Sequence, residues 1–260
     1  MKLSFGLAEV EKWAKFSGDY NPIHFDLEEA KNAGLNSLIL HGMLALMPVK
    51  EALSKEYSQQ SLGYEGWMQF RALFRNPISH DGLVSVRTKP TDNGLAFRIC
   101  ASESKHEHFR GVFILVDDPT PQITSRRVDF NRSTIRCAEN LSRFSEYYPR
   151  VKERWIELDA IIFSEFIRSK MKVIEDLTKL HGSKERQKTL FQISHSVVFD
   201  NGYFLNSYSV VSDWRKISYG ITVPEIISSD DQLIGTVSLP VMDGDRLVML
   251  LEIGLIAKFY

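Results

Sequence analysis

Ser17-Gly18-Asp19-Tyr20-Asn21-Pro22-Ile23-His24-Phe25-Asp26 is the most informative stretch of this 260-residue sequence. Proline at position 22 fixes its own φ and biases the residue before it toward extended backbone. The stretch therefore cannot form a regular helix, and we predict a rigid loop that presents Asp19 and His24 to the same space. An imidazole exchanges protons near neutral pH, and a carboxylate can orient it or act as a base. The pair is suited to handling one water molecule.

A second polar feature, His41-Gly42, precedes an almost wholly apolar segment from Met43 to about Tyr57. A helix that is apolar all round is a buried helix, which is our prediction for this segment. The N-terminus of a helix carries N–H groups without intrahelical partners and the positive end of the helix dipole. Glycine lets a ligand approach that backbone closely. We therefore expect the Gly42 amide to stabilise an oxyanion on a bound carbonyl group.

The order of elements along the chain is helix and then antiparallel sheet, and it occurs twice. Helical periodicity covers residues 7–17, where Gly18 ends it, and later Val151 to Leu180. Alternating apolar residues predict strands at 67–75, 83–88, 95–102 and 109–116, and then at 190–199, 204–211, 233–239 and 247–259. Asn201-Gly202 and Asp243-Gly244 have the composition of hairpin turns. We predict an α+β fold of two similar halves, each a long helix packed on a curved antiparallel sheet.

This order suggests three parts. Residues 1–118 are expected to form a catalytic domain and residues 151–260 a second, degenerate domain. Residues 119–150, which contain Pro119 and Pro121, are expected to form a linker across the surface.

Composition excludes several classes of function. The net charge of -1 gives no field that attracts nucleic acid or an anionic membrane. The sequence has no uninterrupted apolar run of about 18 residues and no N-terminal signal peptide, so we expect a cytoplasmic protein without a membrane span. Its two cysteines, Cys100 and Cys137, lie in no disulfide or metal-ligand pattern.

From Phe16 to Met43 the sequence closely resembles the MaoC-like hydratases and dehydratases, which include the R-specific enoyl-CoA hydratases. Their pattern reads roughly S-G-D-x-N-P-x-H-x-D, followed by A, G and H-G-M. It is matched here by Ser17-Gly18-Asp19, Asn21-Pro22, His24, Asp26, Ala30, Gly34 and His41-Gly42-Met43. Phe74 to Ile78 and Asp81-Gly82 are similar to the next strand and turn of that family. The resemblance covers roughly residues 5–117.

This resemblance implies a hot-dog fold, in which a sheet wraps a long central helix and longer members fuse two copies. It implies that Asp19 and His24 are the catalytic pair, with the Gly42 amide as oxyanion donor. The expected substrate is an enoyl or (R)-3-hydroxyacyl thioester of CoA or of acyl carrier protein, handled without a cofactor. The expected assembly is a monomeric pseudo-dimer or a homodimer.

The substrate-contacting residues are expected to include Met43 and Phe74, the latter first of all a sheet residue. Asn21 and His41 are expected either to order the loop or to contact the substrate. Lys50 stands near the position where some bacterial relatives have a serine. Residues 119–260 contain no second D-x-N-P-x-H, whereas the best-known fused eukaryotic members place the catalytic half at the C-terminus.

Other interpretations of the same residues remain open. His24, Asp26 and His41 fit no strong metal-ligand spacing, so we predict no metal site. The other histidines, which include His195, have no supporting context. A hot-dog thioesterase is disfavoured, because such enzymes usually place their carboxylate on the central helix rather than in a D-x-N-P-x-H loop. The central helix here offers only Lys50, Glu51 and Ser54 near its C-terminal half. A non-catalytic acyl-binding or scaffold subunit of a lipid or polyketide assembly line is the remaining alternative.

Overall fold

The structure is a computed structural model that describes residues 1–60, 65–125, 133–134, 138–180, 188–206, 216–222, 225–228 and 232–259. Its first half begins with strand β1 (Lys2–Leu3) and helices α1 (Leu7–Ser17), α2 (Leu27–Asn32) and α3 (Gly42–Gln60). Four strands follow: β2 (Trp67–Phe74), β3 (Val84–Thr91), β4 (Gly94–Ala101) and β5 (Glu107–Val116). The helices and strands predicted for this half are confirmed to within a few residues.

The middle of the chain contains α4 (Thr120–Ser125), β6 (Ser133–Thr134) and α5 (Ala138–Tyr147). The second half then begins with α6 (Arg154–Leu180), β7 (Lys188–Asp200) and α7 (Asn201–Asn206). It continues with β8 (Ile217–Tyr219), β9 (Glu225–Ser228), β10 (Gln232–Asp243) and β11 (Arg246–Phe259).

One antiparallel sheet runs through both halves in the order β1-β3-β4-β5-β2-β7-β11-β10-β8-β6, with β9 also paired to β10. In each half the first strand after the long helix lies at the centre. The last strand of that half lies beside it, and the strand that precedes the last one in the chain comes next. The halves join where β2 pairs with β7, Phe70 lying opposite Val197. The predicted α+β class and double hot-dog architecture are confirmed, and the shared strand order reinforces the helix-then-sheet repeat.

The two long helices, α3 and α6, pack on each other and on the sheet. Trp155 of α6 stacks on Phe199 of β7, with ring centroids 4.5 Å apart. Its indole N–H donates to the Ser54 hydroxyl of α3 at 3.2 Å, so the ring is both packed and satisfied. This position between sheet and helix explains why the sequence of α3 is apolar on nearly all sides.

Two sequence predictions differ from the structure around α7. The strand predicted at 204–211 is wrong for residues 204–206, which lie in α7; residues 207–211 lie outside the described residues. Asn201-Gly202 forms no hairpin turn, because the Asp200 carboxylate accepts from the Tyr203 N–H at 3.1 Å and thereby starts a helix.

The segment expected to be a linker contributes to the core as well. Phe144 of α5 is buried, and its ring lies 5.5 Å from that of Phe16. Tyr148 approaches the Trp13 ring at 6.1 Å. Part of the segment between the two halves therefore packs against α1, the helix that leads into the Asp19 loop.

Candidate active site

The Asp19 loop begins where α1 ends. Gly18 has a left-handed backbone with φ of 76°, which glycine adopts at little cost, and its N–H donates to the Ala14 carbonyl at 2.8 Å. The N–H of Asp19 donates to the Ser17 hydroxyl at 3.1 Å. These contacts end the helix abruptly and place Asp19 on a wall of a cavity.

His24 is held by a single 3-10 turn over Pro22–His24, in which the proline takes the first position, where its missing N–H costs nothing. Its ring is buried, and Nδ1 lies 2.8 Å from the carbonyl oxygen of Ile39. Because a carbonyl oxygen only accepts, Nδ1 carries the proton of the neutral ring and Nε2 carries the lone pair. This tautomer is the one that a general base on Nε2 requires.

His41 lies directly against His24, with the ring centroids 3.7 Å apart and the planes 30° from parallel. Its Nε2 lies 2.9 Å from the backbone oxygen of Asp19, to which it donates. Burial, and next the neighbouring His24, lowers the pKa of His41 from 6.5 to about 3. His41 is therefore a neutral ring that donates to the backbone of Asp19 and stacks on the side chain of His24.

The depressed pKa of His41 predicts that the protein loses stability in mild acid. The unfolded chain binds a proton at this histidine below about pH 6.5, whereas the folded protein stays neutral there down to about pH 3. Stability from this source is complete above pH 6.5 and declines as the pH falls. By pH 5 the free energy of unfolding should have fallen by about 2 kcal/mol from this source. Urea unfolding at pH 7 and pH 5 measures it.

His41→Gln keeps an N–H donor for the Asp19 carbonyl and removes the titration, so its stability should depend less on pH. His106, an exposed histidine, provides the control as His106→Gln. Burial also lowers the pKa of His195, so part of the dependence should remain in His41→Gln. An unchanged slope in His41→Gln would contradict this assignment.

Helix α3 begins at Gly42, since the His41 carbonyl accepts from the N–H of Ala45 at 3.2 Å. By its position the Gly42 N–H has no acceptor within the helix. The Phe74 ring covers this residue so closely that a Cβ at Gly42 would lie 2.5 Å from its Cε2 atom. A larger residue would displace the ring, because the ring and the helix N-terminus occupy adjoining space.

Asp19, His24, Gly42 and Phe74 line one cavity of about 380 Å³. The second half of the chain supplies much of the remaining wall, through residues that sequence reasoning did not single out. Its lining residues include Phe163 and Ile167 of α6, Leu190, Phe191 and Gln192 of β7, and Lys258 of β11. The alternation of strands and the stripe on α6 were visible in the sequence, but nothing local showed that they face Asp19.

Three other sequence-predicted contacts do not line the cavity. Asn21 donates from its side-chain amide to the Leu190 carbonyl at 2.8 Å, and His41 supports Asp19 as described. Met43 is 1% exposed and lies in the main apolar core. The structure thus gives the first two an ordering role and the third a packing role.

Asp19, His24 and His41 each place one potential ligand atom within 4.8 Å of the others. This spacing would also suit a metal ion, although sequence spacing alone argued against one. Both histidines have a ring nitrogen committed to a backbone carbonyl, which orients them without a metal. Asp26, the third residue considered for a metal, instead caps α2 by accepting from the N–H of Glu28 at 2.8 Å.

A separate polar cluster lies between the two long helices. Lys50 of α3 and Asp159 of α6 form an ion pair, and the Nε2 of His195 donates to Asp159 Oδ1 at 2.9 Å. All three side chains are fully buried. The Lys50 ammonium also lies 5.1 Å from the centroid of the Phe70 ring. Lys50 is not in the cavity wall, so it does not act there in place of a serine.

Charge balance within this cluster sets its protonation. Burial alone would raise the pKa of the Asp159 carboxyl, but Lys50 and His195 more than offset it, and the pKa lies below its usual range. Burial lowers the pKa of the Lys50 amine and of His195, against the pull of Asp159. We describe the cluster as a carboxylate, an ammonium and a neutral imidazole.

Comparison with known proteins assigns the first half of the chain. Residues 2–109 match the family model described as "MaoC like domain". A stretch of 40 residues is 42% identical to the mitochondrial 3-hydroxyacyl-acyl-carrier-protein dehydratase of Arabidopsis thaliana. That stretch is 15% of this chain and 24% of the relative, so the match spans about a quarter of the relative's length.

Solved structures with similar architecture include a "MaoC-like dehydratase", with a TM-score of 0.49 and 8% identity over 97% of this chain and 94% of that one. The dehydratase domain of PpsC from Mycobacterium tuberculosis, in complex with C12:1-CoA, gives a TM-score of 0.47 and 11% identity over 86% of each chain. The (R)-hydratase from A. caviae involved in PHA biosynthesis covers 45% of this chain and 92% of its own, with a TM-score of 0.32 and 24% identity.

The fold is that of a hot-dog protein, and the Asp19 loop places a carboxylate and an imidazole in one cavity with a helix N-terminus. Residues 2–109 match the MaoC-like domain, and the family resemblance found in the sequence is confirmed over this part of the chain. In the part of the chain that the structure describes, no helix combines the length and apolar character needed to cross a membrane.

Proposed function

We propose that this protein catalyses reversible hydration of an enoyl thioester to an (R)-3-hydroxyacyl thioester, carried by CoA or by acyl carrier protein. The observation that carries the proposal is the shared cavity of Asp19, His24 and the Gly42 end of helix α3. Addition of water to a conjugated thioester needs a base near the β-carbon and a donor near the carbonyl oxygen. Those are the two kinds of group that meet here.

In the hydration direction, the Nε2 lone pair of His24 takes a proton from water while the Asp19 carboxylate holds the other hydrogen. The water oxygen bonds to Cβ, and the electron pair of the double bond moves through Cα onto the thioester oxygen. The Gly42 N–H and the helix dipole stabilise this enolate. The proton on His24 then returns to Cα, which leaves the 3-hydroxyacyl thioester and the enzyme unchanged.

Dehydration follows the same path in reverse. A base removes the Cα proton, the enolate forms at Gly42, and the β-hydroxyl leaves as water after receiving a proton. No redox change occurs, so the chemistry needs only the groups of the protein. The (R) product is taken from the family resemblance.

The relatives support the same reaction class. The Arabidopsis protein is a 3-hydroxyacyl-acyl-carrier-protein dehydratase, and the match to the family model includes Asp19, His24 and Gly42. We propose residues 1–118 as the catalytic domain, 119–150 as the connecting segment and 151–260 as its partner domain. Because β2 and β7 join both halves in one sheet, we favour a monomeric pseudo-dimer. The cytoplasmic location stays a prediction.

Turnover tests the proposal directly. Purified protein is mixed with crotonyl-CoA, with longer enoyl-CoAs and with enoyl-carrier-protein thioesters, and loss of the conjugated-enoyl absorbance is followed. We expect saturable turnover on one of these classes, with an (R)-3-hydroxy product by chiral analysis. A thiol-reactive dye in parallel reactions detects hydrolysis. Thiol release without hydration would identify a thioesterase, and saturable binding without either reaction would identify an acyl-binding subunit.

A further inference from the structure

We infer that Arg168, on helix α6 of the second half, is a positioning residue that holds the Asp19 loop in its working geometry. The inference rests on the proposed function and deepens it. It makes the second half part of the catalytic apparatus as well as a wall of the cavity. Three sets of contacts carry it.

The first set joins Arg168 to the end of α1. Its Nη2 donates to the Phe16 carbonyl at 2.8 Å and to the Lys15 carbonyl at 3.4 Å. Its Nε donates to the Ser164 hydroxyl at 3.3 Å, and that hydroxyl also reaches the Phe16 carbonyl at 3.2 Å. The last four carbonyls of a helix lack intrahelical donors, and a positive charge there is favourable. Arg168 therefore supplies the C-terminal cap of α1 from a different part of the chain.

The second contact lies one residue before Asp19. A Cβ placed on Gly18 would approach Arg168 Cγ at 3.0 Å and Cζ at 3.2 Å, so the arginine side chain lies directly against this glycine. Gly18 has φ of 76° and sets the direction in which the chain leaves α1. The guanidinium thus fixes both the end of the helix and the residue that turns the chain into the site.

The third contact fixes the other end of the loop. Asn21 donates to the Leu190 carbonyl of β7 at 2.8 Å. Asp19 consequently lies between two anchors on the second half, α6 before it and β7 after it, in addition to the bond that its carbonyl oxygen accepts from His41 of its own half. The His24 ring, by contrast, bonds to Ile39, a residue of its own half. The second half is therefore expected to control the position of the carboxylate more than that of the imidazole.

Loss of these anchors should slow the chemistry with little effect on binding. Small misplacement of a catalytic group lowers rates strongly, and we expect Arg168→Met to reduce kcat about tenfold to a hundredfold. KM should change less than about threefold, because the apolar cavity wall remains. Arg168 is exposed, so its removal leaves the buried core intact. Arg168→Lys keeps the charge but lacks the planar fork of donors, and should recover only part of the rate.

Arg246→Met is the matched control. Arg246 is also on the surface and donates to Asp200 at 2.6 Å. It is the first residue of β11, whereas the cavity residue Lys258 lies near the other end of that strand. Its loss should leave kcat unchanged.

The pH–rate profile separates an effect of Arg168 on geometry from an effect of its charge. If Arg168 acted through its field on Asp19, Arg168→Met would shift the profile and Arg168→Lys would restore it. That result would overturn the positioning role.

Hydrogen–deuterium exchange makes the test independent of activity. Amides of residues 19–21 should exchange faster in Arg168→Met than in the wild type or in Arg246→Met. If Arg168→Met exchanges faster at these amides but the wild type hydrates no thioester, the anchoring role stands and the proposed function is rejected. Wild-type turnover with unchanged kcat and unchanged exchange in Arg168→Met would reject the inference and leave the proposed function standing.

Discussion

Asp19→Asn is expected to lower kcat for hydration by about a hundredfold to ten-thousandfold, the range typical of a lost acid–base group. Asparagine keeps the shape of the side chain and can still hold a water, but it cannot carry negative charge or accept a proton. The backbone oxygen of Asp19 would still accept from His41, so the loop should keep its geometry. The loss should therefore appear in kcat, with KM nearly unchanged.

His24→Gln should cause a loss of similar size. The glutamine amide can donate to the Ile39 carbonyl as Nδ1 of His24 does, but its amide oxygen is too weak a base to take a proton from water. Because the two groups act on the same water, the double variant should be little worse than the poorer single variant. The measurement is steady-state kinetics on the thioester that the wild type prefers.

Asp26→Asn provides the matched control. This carboxylate lies in the same sequence motif, but its oxygen accepts from the N–H groups of Glu28 and Glu29 and caps α2. Asparagine is as good an N-cap as aspartate, so both stability and kcat should be preserved. Turnover that survived in Asp19→Asn and His24→Gln would refute the site assignment, even if the protein proved to be a hydratase.

The sequence predicted the Asp19 loop well because local covalent geometry determines it. Pro22 excludes a regular helix, and Gly18 supplies the left-handed residue that ends α1. The N-terminus of α3 was predictable for a similar reason, since an apolar helical segment follows His41-Gly42. The helix end at Gly18, the turn at Pro22 and the helix start at Gly42 lie within about 25 positions of chain, and a motif can record local backbone geometry over that distance.

Residues of the second half could not be placed in this way. Arg168 contacts the Phe16 carbonyl across 152 positions, and Asn21 reaches Leu190 across 169. Such contacts depend on how α6 and β7 pack on the first half, for which a single sequence has no local signal. The mistaken strand near Phe204 has a different origin: Asn201-Gly202 is typical of a hairpin, but Asp200 just before it can also cap a helix.

In the sequence, Lys50 stands near the position where some bacterial relatives have a serine, but the structure gives it a different role. Its ammonium is the cation of the buried cluster that Lys50 forms with Asp159 and His195 between α3 and α6. Replacing it with methionine removes that charge and leaves the Asp159 carboxylate buried. Breaking a buried pair from one side typically costs about 3–5 kcal/mol of stability. We expect a loss of this size in the free energy of unfolding of Lys50→Met at pH 8.

Lys12→Met is the matched control for this prediction. Lys12 also lies over an aromatic ring, with its ammonium 5.0 Å from the centroid of Tyr148, but it is only half-buried. Its loss should cost less than about 1 kcal/mol. The comparison separates the contact with a ring, which both lysines make, from the neutralisation of a buried carboxylate.

The pH dependence of Lys50→Met should identify the carboxylate as the source of the loss. Burial is the main cause that lowers the pKa of His195, and the Lys50 charge lowers it further, so removing Lys50 raises the pKa of His195 toward its usual range. The folded variant then binds more protons in mild acid than the folded wild type, and the proton on His195 offsets the Asp159 charge, so the deficit should shrink between pH 8 and pH 5.5. Adding Asp159→Asn should restore stability at pH 8 as well, giving a coupling energy of about 2 kcal/mol or more in the double-mutant cycle. Equal losses at both pH values, with no coupling, would mean that Lys50 stabilises the core by packing alone.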